Sequence, residues 1–244
     1  QGDVIFALPG DNEGLTTGQT IDLDVGGISV VGVGNGNNRP RIDYDIAAAS
    51  IDIGASGCMI KNIRLLPSVT DVLIAIDCET LFTDHVLEDI EVLTGEDGAG
   101  VDEFVAGIEM KIGITRALIK GFLYDQHASA VGVARCIYFN GASNRVHVKD
   151  CWLEIIGAAG VACIEGTGSS LRSLIENCTL ITDNEPGIEL AAGQTGVIRD
   201  VDIFADLATI AAATVAAGMA HFRVRYVEVG NESDAAVKTA SVDD

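Results

Sequence analysis

Apolar and polar positions alternate in short bursts along this chain, and the bursts recur. Six six-residue segments align without gaps, beginning at Ile60, Leu87, Ile119, Val148, Ile175 and Ile198, and a shorter one, Val30-Val31-Gly32-Val33, precedes them. In the six, positions one, four and six are almost always apolar, whereas two and five are mostly charged or polar. Such alternation marks strands with one buried face, and the change of phase after position three marks a bend between two short strands. First positions lie 30, 27, 32, 29, 27 and 23 residues apart. That spacing is too irregular for a helical repeat and natural for coils closed by loops of varying length.

Position three is the most restricted. It holds Gly32, Asn62, Asp89, Gly121, Asp150, Asn177 and Asp200, the residue types that enter left-handed backbone at least cost. A left-handed residue there turns one strand into the next without a loop, and stacked Asn and Asp side chains would form a ladder along the axis. A further strand lies nine to eleven residues upstream in each coil, as in Ile51-Asp52-Ile53, Ile76-Asp77-Cys78 and Ile188-Glu189-Leu190. Because that offset is nearly constant, variation concentrates elsewhere, in segments such as Leu93 to Ala106 and Asp125 to Arg135, where function is expected to sit.

The pattern predicts an all-β fold, a single right-handed parallel β-helix of about seven coils, because stacked repeats bury a core that one repeat cannot. At a strand spacing of roughly 4.8 Å this is a rod on the order of 30 to 35 Å long. Residues 1–27 are read as an N-terminal cap and first strand, 28–205 as the coils, 206–230 as a C-terminal cap, and 231–244 as an acidic flexible tail.

Composition narrows the core and the partners. Hydrophobic residues make up 48% but aromatics only 5%, so Val, Ile, Leu, Ala and Cys must fill thin regular layers. The six cysteines show no CxxC spacing and lie mostly inside apolar patterns, which reads as packing rather than disulfide or metal binding. Lys and Arg total 15 against 36 Asp and Glu, a net charge of −21. That balance argues against nucleic acid and anionic membrane partners.

Two charged rows follow from the repeat. The upstream strands place Asp22, Asp52, Asp77, Glu109, Glu165 and Glu189 at one outward position, interrupted only by Tyr138. Position two of the aligned segments carries Lys61, Glu88, Lys120, Lys149, Glu176 and Arg199. The acidic row is either a solvated or subunit-facing stripe or a cation-binding or catalytic groove. If copies pack side by side, the cations Lys61, Lys120, Lys149 and Arg199 would meet the neighbour's carboxylates. His85, His127, His147 and His221 show no zinc-type spacing, and Gly32-Val33-Gly34-Asn35-Gly36 has no following helix to bind a phosphate. No catalytic, cofactor-binding or metal-binding residues are assigned, and no cofactor is expected.

The repeat, with Gly2 to Gly10 and Ile28-Ser29-Val30-Val31-Gly32-Val33-Gly34, resembles the pectin-lyase-like β-helix superfamily. Gly32 to Asp43, Ile51-Asp52-Ile53 and Ile60 to Leu65 are similar to β-helical structural proteins of tailed bacteriophages, including trimeric decoration, or cement, proteins related to tailspikes. The enzymes of the superfamily use NTD, DD, GHG and RIK motifs, or RxPxxR and WxDH. Here the only Asp pair is Asp243-Asp244, Arg39-Pro40-Arg41 is the nearest approach to RxPxxR, and Trp152 is followed by Leu153-Glu154. The resemblance therefore implies a non-enzymatic homotrimer bound to the major capsid protein on the outer surface of a phage head, assembled in the host cytoplasm. The alternative it implies is a tailspike-type protein that degrades or binds polysaccharide through loops between Leu93 and Arg135.

Overall fold

Three parallel sheets wind around one core. The computed structural model describes residues 2–10, 12–16, 20–94, 102–126, 135–155, 161–169, 172–182, 186–191, 194–205, 213–215, 222–231 and 234–240. It is a parallel β-solenoid of about six turns, close to the seven coils expected. The one described helical element is a single 3₁₀ turn, Gly36–Asn38.

Each coil contributes one strand to each sheet. Met59–Lys61, Val86–Glu88, Leu118–Lys120 and His147–Lys149 stack in the first sheet. Arg64–Pro67, Glu91–Thr94, Leu123–Gln126 and Trp152–Ile155 stack in the second. Ile51–Ile53, Val72–Cys78, Phe104–Lys111 and Arg135–Asn140 stack in the third. In Ser173–Thr182 and Gly196–Ala205 the first two strands fuse across the corner into one ten-residue strand.

Register follows the repeat residue by residue. Position one pairs Ile60 with Leu87, Leu87 with Ile119, Ile119 with Val148, and Val148 with Ile175. The inward positions stack into columns: Ile63, Ile90, Phe122, Cys151, Cys178 and Val201 in one, Leu65, Val92, Tyr124, Leu153, Leu180 and Ile203 in another, all buried. The third sheet supplies Ile51, Ile76, Ile108, Ile137, Ile164 and Ile188 to the same core. The two largest polar-tipped side chains inside are satisfied: the Tyr44 hydroxyl donates to the Ala75 carbonyl at 2.7 Å and the Tyr124 hydroxyl to Phe104 at 3.2 Å.

Strands continue the sheets at both ends. Within the first 27 residues Val4–Ala7, Asn12–Leu15 and Ile21–Leu23 extend all three sheets. Val4, Ile5 and Phe6 remain exposed on the terminal strand. At the other end Phe222–Asn231 continues the first sheet, and Asp234–Ala240, within the segment read as a flexible tail, is a strand paired antiparallel with it. The pairing satisfies backbone groups that a free tail would leave to solvent.

Candidate functional site

The outward rows of the solenoid are its chemistry-bearing surfaces, because parallel in-register stacking puts equivalent positions of successive coils side by side. Corners set the geometry. Asn62, Asp89, Gly121, Asp150, Asn177 and Asp200 all hold left-handed backbone, with φ between 50° and 63°. Gly32 is the departure. It lies in the extended strand Ser29–Gly32, and the left-handed turn falls later, at Gly36. Glycine is needed there for closeness rather than for φ: a Cβ on Gly32 would meet the Asn62 carbonyl oxygen at 1.9 Å. The side-chain ladder is discontinuous. Asn177 Nδ2 donates to Asp150 Oδ1 at 2.7 Å, while Asn62 Nδ2 donates to the carbonyls of Gly32 and Gly34.

On the third sheet Asp22, Asp52, Asp77, Glu109, Tyr138, Glu165 and Glu189 form one register row. Three of its carboxylates have partners from neighbouring rows. Lys111 Nζ lies 2.5 Å from Asp77, Asn140 Nδ2 donates to Glu109 at 2.6 Å, and Arg135 lies 2.5 Å from Glu165 and 4.3 Å over the Tyr138 ring. Burial pushes the Asp77 carboxyl above the ordinary carboxylate range; Lys111 opposes the shift while Glu109 and Asp52 reinforce it. Burial likewise raises Glu165 against the pull of Arg135, with Glu189 adding to the rise. At the N-terminal end, among the described residues, Asp22 accepts only from Thr20 and Asp52 only from Ser50.

On the first sheet Lys61, Glu88, Lys120, Lys149, Glu176 and Arg199 likewise share a row. Its charges are matched within the chain. Glu88 sits between Lys61 at 3.1 Å and Lys120 at 2.8 Å, and those hydrogen bonds, Lys120 first, lower its pKa. Glu176 sits between His147 Nε2 at 2.8 Å and Arg199 Nε at 2.6 Å. Burial raises Glu176, but Arg199 and His147 outweigh it and hold the carboxyl low. Lys61, Lys120 and Arg199, offered by the repeat for a side-by-side interface, are thus already engaged, and Lys149 lies 4.0 Å from Asp150.

The second sheet carries features the repeat did not single out. Arg39, in the loop before Arg41–Tyr44, reaches two coils along to pair with Glu91, which Arg64 also contacts at 3.0 Å. Trp152 is 46% exposed, and the same strand presents half-buried Glu154. At the N-terminal end a cavity of about 350 Å³ is lined by Ile5, Ala7, Leu23, Ile28, Val30 and Ile42.

A second set of left-handed corners, between the third and first sheets, was not legible as a motif. It comprises Gly27, Gly57, Asp84, Arg116, Arg145 and Arg172, each two residues before the aligned start of a first-sheet strand. Fixed offset from the repeat was its one signal. Arginine, a poor left-handed residue, hid it.

All six cysteines are free and buried. His85 is fully buried with neither ring nitrogen hydrogen-bonded. His127, His221 and loop residues 95–101 and 127–134 lie outside the described residues. Among the described residues no group of three or more His, Cys, Asp or Glu side chains could hold a metal ion, and no helix is long and apolar enough to cross a membrane. No family model, curated protein or solved structure matches the chain.

Proposed function

We propose that this chain is a structural rather than a catalytic protein, a rigid solenoid of the capsid-decoration kind that binds the major capsid protein on the outside of a phage head. The observation that carries the structural part is the unbroken in-register stacking of three sheets around one apolar core. A rod hydrogen-bonded from coil to coil presents its outward rows preformed, so binding orders few side chains. The matching of carboxylates by Lys, Arg and Asn from neighbouring coils suits a stiff surface better than a reacting one. The virion assignment rests on the likeness of Gly32 to Asp43 and of the repeat to phage β-helical proteins. Co-sedimentation of the purified chain with undecorated shells of its phage tests it. Saturable binding at fixed stoichiometry is expected, and a chain that stays in the supernatant overturns the reading.

Exposed Trp152 favours a second reading, glycan binding of the tailspike type. An indole face with Glu154 on its own strand and Asp125 on the neighbouring one is a surface on which a sugar ring can stack while its hydroxyls meet carboxylates. A glycan array probed with the chain and with Trp152→Ala separates the two: signal lost in the variant supports the second reading. Release of oligosaccharide would make it an enzyme.

A further inference from the structure

We infer that the edge between the third and first sheets is a self-complementary interface, on which two copies of this chain pair antiparallel about a twofold axis. The inference is independent of capsid binding.

Six left-handed corners define that edge, in order Gly27, Gly57, Asp84, Arg116, Arg145 and Arg172. Successive corners are one strand spacing apart, about 4.8 Å, so the edge is about 24 Å long. Its chemistry is polarised along the axis. The first corner is level with Asp22 and Asp24, the second with Asp52, and the third with Glu79. Asp22, Asp24 and Asp52 form no ion pair among the described residues, while Glu79 lies in the field of Lys111. The fifth and sixth corners are Arg145 and Arg172, both exposed, and neither side chain has a partner among the described residues. Between them lie the two most prominent apolar side chains of the edge, Leu81 at the third corner and Ile112 at the fourth, 75% and 53% exposed. They are neighbours: the Leu81 amide donates to the Ile112 carbonyl at 3.0 Å.

Reversing a second copy along this edge sets the sixth corner against the first, the fifth against the second, and the fourth against the third. Arg172 then faces the partner copy's Asp22 and Asp24, Arg145 faces its Asp52, and Ile112 faces its Leu81. Arg116 faces Asp84 across the axis, adding to the pair these two residues already make within each chain at 2.6 Å. Two features select a second copy as the occupant. Charge is complementary at both ends of the strip at once, and two copies of one solenoid share the same axial repeat, so both ladders stay in step over all six corners. A polyanion would use only the arginine half and leave Leu81 and Ile112 uncovered.

Sedimentation equilibrium of the chain alone tests the proposal. At about 0.15 M ionic strength, where a screening length of about 8 Å mutes the repulsion between two copies of net charge −21 but not the contacting pairs, a dimer is expected. Arg145→Glu with Arg172→Glu should raise the dissociation constant about 100-fold, as should Asp22→Lys with Asp52→Lys, since each reverses exposed pairs on both sides of the axis. Both arginines already hold left-handed backbone as non-glycine residues, so glutamate adds no strain of a new kind; circular dichroism checks that the fold persists. The decisive sample is an equal mixture of the two double variants. Each fails to pair with itself, but one of each restores opposite charge at both ends, so a 1:1 heterodimer is expected. A wild type that stays monomeric at that ionic strength, a mixture that does not associate, or growth to rings or open polymers each overturns the twofold edge.

Discussion

Replacing His85 by leucine should remove a large part of the chain's sensitivity to mild acid. The imidazole lies in the core at the position before Val86–Glu88, stacked between Cys58 and Ala117, with no exposure and no hydrogen bond to either nitrogen. Small neighbours above and below leave room for the ring but offer nothing to a proton. Burial pushes its pKa from 6.5 down to about 4, against the opposing field of Asp84. The folded state therefore binds fewer protons than the unfolded chain between those values. Stability from this group is whole above pH 6.5, declines as pH falls towards 4, and is lost no further below it. The loss is about 2 kcal/mol at pH 5 and about 3 kcal/mol at pH 4. For a chain of this length 2 kcal/mol corresponds to about 4–8 °C in melting temperature. The raised carboxyls of Asp77 and Glu165 act with opposite sign, gaining stability as they protonate, so the comparison must be between variants at each pH. Thermal and urea melts at pH 7 and pH 5 should show wild type falling relative to His85→Leu by that amount. Parallel profiles for the two proteins, or an imidazole that titrates near 6.5 by NMR, would refute the reasoning.

Other substitutions test other layers of the structure. Asn177→Ala removes the bond to Asp150 and puts a Cβ-bearing residue without a local polar partner at φ 50°, for a loss of about 1–3 kcal/mol in a denaturant melt; Asn177→Gly should recover part of it. Glu88→Gln leaves Lys61 and Lys120 facing each other and should cost about 0.5–1 kcal/mol at low salt, shrinking in high salt. Since the Glu88 pKa is lowered, its contribution is present above about pH 4.5 and disappears as pH falls through the folded value, so wild type and variant should converge in acid. Ile119→Ala empties a fully buried place in the middle of the stack and should destabilise by about 2–5 kcal/mol, read as faster amide exchange in the coils on either side.

The corners and the core columns were legible in the sequence because each coil repeats the same physical demand. Asn62, Asp89 and Asp150 report a left-handed backbone, and Ile60 to Ile198 report an inward side chain, without any knowledge of neighbours. Gly32 shows the limit. Its residue type fits a left-handed corner, yet the chain needs it for close approach to Asn62, a requirement that belongs to packing. The charged rows were legible as rows but not as pairs. Lys111 and Asn140 stand two positions off the carboxylate row and Arg135 three, and only coil-to-coil stacking brings them across. Trp152 sits at outward position five, so its exposure follows from the repeat; what the alternation does not explain is an indole there.

Stacking also explains why the unmatched charges carry information. Two like charges one strand spacing apart repel by about 0.9 kcal/mol in water, and by more where burial lowers the local dielectric. A solenoid that repeats its outward positions pays this penalty in every coil unless a cation or an amide is interleaved. In the middle coils the interleaving is done: Glu88 between two lysines, Asp77 under Lys111, Glu165 under Arg135. It is missing at Asp22, Asp24 and Asp52 and, with reversed sign, at Arg145 and Arg172. Nothing in the local backbone prevents a lysine beside Asp52 or a carboxylate beside Arg145, since both kinds of neighbour occur elsewhere on the same rows. Acid left over at one end of an edge and base at the other is what an edge needs if a reversed copy is to complete it.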